Sequence, residues 1–218
     1  MCENERSFIA ALVHIMQVSL RSSGPRHADV RTAGILALVR QTFLDKGFDG
    51  ASMQDLARAA GMSVGNFYRY FPSKAAIIQA LIEHDGDVVQ RDFAAILTSD
   101  QPMATLRQVI QTRLTNADDS DDLALWTEVE VASRHSPEIA QSAQRMEMDV
   151  LGNFLSVFSA DTGLSLAEVR LRYSNTASFL LVMIKAASCL SCASPIDHQA
   201  VRAMILRSIN HALDEVRP

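Results

Sequence analysis

The sequence predicts an all-α protein, and three observations carry that prediction. Apolar residues recur at spacings of three and four through successive segments. No run alternates apolar and polar residues long enough to argue for a sheet. Pro and Gly are sparse and cluster between the helical segments. The 218 residues allow one or two domains with a sizeable core.

Three parts are expected. Residues 1–27 form an N-terminal extension and linker, residues 28–73 a head, and residues 74–218 a helical body. In the extension, Phe8, Ile9, Leu12, Val13, Met16 and Leu20 make one apolar stripe. That stripe reads either as a partly ordered leader or as an extra helix packed on the body or a partner. The stretch from Arg21 to His27 is a basic, Gly-Pro-containing linker. Basic arms in this position can enter a minor groove; a solvated linker is the plainer reading.

The head opens with a helix over residues 29–46, stopped by Gly47. Its stripe of Ile35, Leu38, Val39 and Phe43 is expected to floor the elements that follow. Ser52 caps the next helix, with Asp55 three residues on at the positive end. Leu56, Ala57 and Ala60 share a face, and Gly61 supplies the left-handed stop. Ser63 caps a second short helix in which Phe67, Tyr70 and Phe71 are spaced for partial burial. Pro72 ends it and Ser73 caps a long successor. Two short helices around a Gly-containing turn form a helix-turn-helix pattern, whose second helix lies in the DNA major groove.

At these residues the sequence resembles a known family. From Ile35 to Leu81 it is similar to the DNA-binding domain of TetR-family bacterial transcriptional regulators. Ile35, Leu36, Phe43, Gly47-Phe48 and Ser52 match, then Leu56-Ala57, Ala60-Gly61-Met62-Ser63, Gly65, Phe67-Tyr68-Arg69-Tyr70-Phe71 and Lys74. Departures are Leu38-Val39 for a usual pair of alanines, Thr42 for leucine and Tyr70 where histidine is common. The resemblance implies that Val64, Gly65, Asn66 and Arg69 face bases, and that Ser52, Tyr68 and Lys74 bind the DNA backbone. Side-chain chemistry agrees. Asn suits adenine and Arg suits guanine, Val can touch a thymine methyl, and Ser63 and Tyr70 add hydroxyls suited to phosphate. The first helical turn also leaves backbone N–H groups free near phosphates, and Gly65 allows close approach. Packing alone is the alternative role for Tyr68 and Tyr70.

The body is read as six helices. The first runs from Lys74 through Gly86, a possible bend, to Leu97. Helices follow over residues 102–117, 123–134 and 137–159, the last opened by Ser136-Pro137-Glu138. Residues 160–163 are expected as a loop, and residues 165–190 and 195–216 as the last two helices. Phe179 to Ile184 is apolar on every face and should be buried all round. The stretch from Trp126 to Glu138 resembles the middle of the family's ligand domain. The resemblance further implies a homodimer through a four-helix interface. Its expected residues are Phe179, Met183, Ala187, Val201, Ile205, Ile209 and Leu213. Trp126, Glu130, His135, Met146, Phe154, Phe158 and Phe179 are the large or polar candidates for a small-molecule effector site, each also explicable as ordinary core or surface.

Charge fits this division. Residues 1–80 carry nine Lys+Arg against six Asp+Glu, and residues 81–218 carry eleven against nineteen, within a total of −5. A mildly basic head on an acidic body can present one positive face to DNA. Three cysteines, an acidic start and no apolar stretch long enough to span a bilayer suggest a cytoplasmic protein. Asn116, Asp118, Ser120 and Asp122 alternate like a calcium loop, but Asp121 stands where its glycine is needed and the closing Glu is missing. Cys189 and Cys192, with His198 beyond, read as two buried thiols; a metal or redox site would need more ligands or a lowered thiol pKa. The six histidines are scattered, so no catalytic set, metal site or cofactor is expected.

The resulting expectation is a ligand-released repressor, bound as a dimer to a palindromic operator. The alternatives are an activator or partner-controlled regulator of the same fold, and a helical ligand-binding or interaction module that does not bind DNA.

Overall fold

The computed structural model describes residues 27–115, 121–188, 190 and 196–218. The stripe at residues 8–20, Arg21 and Arg26, the calcium-like positions Asn116, Asp118 and Ser120, and Cys189 and Cys192 lie outside the described residues. Two compact units are present, residues 1–35 and 36–218. The first contributes the opening of one helix to the described residues; the second holds everything from Leu36 onward.

Among the described residues the regular elements are helices, without strands. In order they form α1 (His27–Gly50), α2 (Met53–Ala59), α3 (Val64–Tyr70), α4 (Lys74–Leu97) and α5 (Pro102–Thr115). Then come α6 (Asp121–Ser133), α7 (Pro137–Thr162), α8 (Leu166–Ser188) and α9 (His198–Asp214).

Local chemistry sets the boundaries in the head. Gly47 breaks α1 with φ 70° and ψ 166°, a backbone that only glycine adopts without strain. Leu36, Val39, Phe43 and Phe48 are buried, and the rings of Phe43 and Phe48 meet edge to face at 4.8 Å. Leu38, expected in the floor, is 53% exposed. Its neighbours Leu36 and Val39 occupy the buried arc, and a helix of 100° per residue leaves Leu38 outside it. Ser52 and Asp55 form a complete capping box at the start of α2. Gly61 has φ 64° and turns the chain toward α3.

In the body, α4 runs unbroken through Gly86. Its first half buries Ile77, Ile78, Leu81 and Ile82, and its second half buries Phe93 and Ile96. The central core joins Phe93 and Ile96 to Leu106 and Ile110 of α5, Phe154 and Phe158 of α7, Leu180 of α8, and Ile209 and Leu213 of α9. Arg107 clasps α5 to α9, donating to the backbone and side-chain oxygens of Asn210 at 3.1 Å each and to Asp214 at 2.7 Å. The Tyr173 hydroxyl donates to the Arg217 carbonyl at 2.7 Å and fixes the C-terminal residues to α8.

One expectation needs correction. Residues 160–162 are helical rather than loop, because α7 stops only where Gly163 turns left-handed at φ 73°. Within Phe179–Ile184, Leu180 is fully buried but Phe179 is 37% and Val182 56% exposed in the single chain. The chain's own core thus covers one side of this segment, as expected of a helix that is both core and interface.

Candidate nucleic-acid interface

The short helix α3 divides cleanly by side. Phe67 is fully buried and its ring meets that of Phe71, one turn on, at 5.5 Å with the planes tilted by 50°. That fixes the rotation of the helix and turns Val64, Tyr68 and Arg69 to solvent. Gly65 is also exposed, while Asn66 and Tyr70 are half-buried. The candidate base-facing residues thus lie on the exposed side or at its margin.

Hydroxyls brace both short helices. Ser52 Oγ accepts from the Asp55 N–H at 3.1 Å, and its own N–H donates to Asp55 Oδ2 at 3.1 Å. Lys46 Nζ lies 2.8 Å from Asp55 and ties the end of α1 to α2. The Lys46 and Ser52 contacts hold the Asp55 carboxyl far below the usual carboxylate range. Ser63 Oγ accepts from the Asn66 N–H at 3.3 Å. Lys74 Nζ donates to the carbonyls of Asp49 at 3.0 Å and Ala51 at 3.1 Å. Lys74 is therefore a clasp on the turn before α2, with one ammonium proton left for an outside acceptor. Arg58, not singled out from the sequence, stands exposed on α2. Its position beside the Asp55 cap was the available signal.

The effector candidates do not gather in one place. Phe154 and Phe158 are core residues, in edge-to-face contact with Phe93 at 5.3 Å and Tyr173 at 6.2 Å. Glu130 and Glu147 both pair with Lys185. Burial works against the Lys185 charge, but the two carboxylates outweigh it and raise its pKa. His135 is exposed, Trp126 half-buried, and Phe179 lies on the outer side of α8. Only Met146 lines the cavity of about 240 Å³ between α4 and α7. Its other walls include Ile82, Glu83, Gly86 and Asp87 from α4, and Arg145, Asp149 and Asn153 from α7. The side-chain nitrogen of Asn153 is buried there without a hydrogen-bond partner. Sequence reasoning missed this seam because it forms only where two helices separated by forty residues cross.

The expected interface residues also separate. Ile209, Leu213 and Ala187 are fully or almost fully buried in the core of their own chain, so they present no surface to a partner. Met183 and Ile205 are half-buried against that same core, and Val201 is half-buried. Of the expected residues Phe179 is exposed, and it is joined by Leu166, Leu171 and Val182 on α8 and Met204 on α9. An apolar stripe read from sequence reports periodicity, and on a helix with two apolar faces it cannot say which face turns inward.

Residues 35–81 match the profile of bacterial regulatory proteins of the tetR family. The nucleoid occlusion factor SlmA of Haemophilus influenzae is 27% identical over 149 residues, covering 64% of this chain and 65% of SlmA. The HTH-type transcriptional regulator EthR of Mycolicibacterium smegmatis is 43% identical over 63 residues, 29% of each chain. The chain thus spans less than two thirds of the length of these curated relatives. Among solved structures, Salmonella enterica GusR superimposes with a TM-score of 0.65 at 20% identity, over 88% of this chain and 98% of GusR, which shows a shared fold. The helix-turn-helix segment at residues 35–81 is thus of the tetR-family type, and the chain shares its all-helical fold with GusR.

Proposed function

We propose that the protein is a cytoplasmic DNA-binding transcriptional regulator, a homodimeric repressor released from a palindromic operator by a small molecule. One observation carries this reading: buried Phe67 and Phe71 lock α3 so that Val64, Tyr68 and Arg69 face outward together. Val64, Gly65, Asn66 and Arg69 read base edges. Ser52, Ser63, Tyr68, Tyr70 and the remaining proton of Lys74 serve phosphates.

A seven-residue helix reads few base pairs, so two copies are needed. The exposed Leu171, Phe179, Val182 and Met204 supply an apolar face for a second copy. A twofold pair sets its reading helices about 34–36 Å apart, or a multiple of that, to meet successive major grooves.

The effector enters the α4–α7 seam. At about 240 Å³ the cavity lies below the usual range of roughly 300–1,000 Å³ for ligand pockets. A ligand therefore widens it, and α4 leads directly from the head. The Gln79 amide bridges the same seam to the Glu138 carbonyl and Ser142 Oγ, at 3.4 Å each. Separation of α4 from α7 breaks that bridge and changes the spacing of the heads. The shift is limited by the effector's differential affinity for the two states.

Binding of the full-length protein to genomic fragments across a salt series tests the reading. A steep fall of affinity with salt is expected, since phosphate contacts release counterions. Failure to retain any fragment at low salt would refute DNA binding.

A further inference from the structure

The turn that leads into the helix-turn-helix is held from two sides. On one side, Glu128 of α6 reaches across eighty residues of sequence, and its Oε2 accepts the Phe48 N–H at 2.9 Å. Phe48 follows the break at Gly47, and its ring is packed on Phe43, so its backbone is anchored in the core of the head. On the other side, Lys74 takes the carbonyls of Asp49 and Ala51. Gly47 has a second duty here besides its backbone angle. A Cβ at that position would stand 3.2 Å from Glu128 Oε2, so the missing side chain leaves room for the carboxylate.

We propose that Glu128 is a positioning residue for the DNA-reading helix: its carboxylate straps the turn at residues 47–51 to α6, so the head takes its orientation from the body. This rests on the reading of α3 as the DNA-contacting element. The strap is a second connection, separate from the α4 seam. It grips the Phe48 peptide, four residues before the Ser52 cap, so a displacement of α6 is passed to α2 and α3 without passing along α4.

Electrostatics gives the test its discrimination. Glu128 carries negative charge on an acidic body, so removing that charge alone should tighten binding to a polyanion or leave it unchanged. Losing the strap has the opposite effect. Three full-length variants separate the two. Glu128→Gln removes the charge and keeps an oxygen that can accept the Phe48 N–H. Glu128→Ala removes both. Glu128→Asp keeps the charge and withdraws the oxygen by one methylene.

Hydrogen exchange of the turn at residues 47–51 should accelerate about tenfold in the Ala and Asp variants and change less than about twofold in the Gln variant. DNA affinity should fall about tenfold in the Ala and Asp variants, with the salt slope unchanged because no phosphate contact is lost. The Gln variant should bind as well as wild type or better. Equal exchange and equal affinity for the Ala and Gln variants would overturn the proposal. So would an Asp variant that behaves as wild type. If the wild-type protein retains no DNA, the DNA-binding reading fails, and the exchange pattern alone decides the strap. If the Ala variant does not fold, the Asp–Gln contrast makes the same decision.

Discussion

Ile209 and Met204 sit five residues apart on α9 and should respond to substitution in opposite ways. Ile209 is fully buried in the core shared by α4, α5, α7, α8 and α9, while Met204 is 59% exposed. Truncating a fully buried Ile to Ala loses the transfer energy of the missing carbons and leaves a cavity, a cost of about 2–5 kcal/mol. That is a large share of a total stability of roughly 5–15 kcal/mol. For a chain of this size each kcal/mol shifts the melting midpoint by about 2–4 °C, so a mid-range cost of about 3 kcal/mol lowers it by about 6–12 °C. Met204→Glu removes no core contact and should leave the fold of each chain intact. It places charge on the face offered to a second copy, so the proposed dimer should dissociate. Calorimetry and light scattering at one fixed protein concentration measure both effects, since dissociation itself makes melting depend on concentration. The reasoning fails if Ile209→Ala yields well-folded monomers with unchanged melting. It fails equally if Met204→Glu stays a full-sized dimer.

Three further predictions concern single positions. Gly86→Ala should raise stability by up to about 1 kcal/mol, because a helical Gly is replaced and the new Cβ meets only the Met146 side chain at an ordinary 3.8 Å; a lower melting midpoint would contradict this. Asp55 has a depressed pKa, so its stabilising contribution is present above the ordinary value of 3.8 and is lost as pH falls through the lower folded-state value. Urea melts should therefore show the gap between wild type and Asp55→Ala beginning to narrow as the pH falls through about 3.8 and continuing to narrow below it; a constant gap would remove the carboxylate from the account. Arg69→Ala should relax base preference at one operator position, whereas Lys74→Ala should weaken all sequences alike and also cost about 1 kcal/mol of stability through the turn it clasps. A panel of base-substituted operators and a parallel denaturant melt check both, and the same sequence profile for the two variants would dismiss the division of roles.

Much of the head was legible because its signals are local. Ser52 with Asp55, Gly61, Ser63 and Pro72 each act on neighbours within four residues, and the helix ends fall where those residues put them. The rotation of α3 was legible too, since Phe67 and Phe71 are one turn apart and both apolar. Leu38 was not, because its type suits either side and only the packing around Val39 chose the exposed one.

The sequence by itself determined the all-helical class, the helix-turn-helix and the outward face of its second helix, because capping, turn chemistry and i, i+4 spacing are short-range physics. Tertiary structure alone decided which face of α9 is core, that Phe154 and Phe158 fill the interior rather than a pocket, and that Glu128 meets Phe48. Those outcomes depend on which helices cross. Crossing is set by the summed packing of residues far apart in the chain, and no local spacing encodes it.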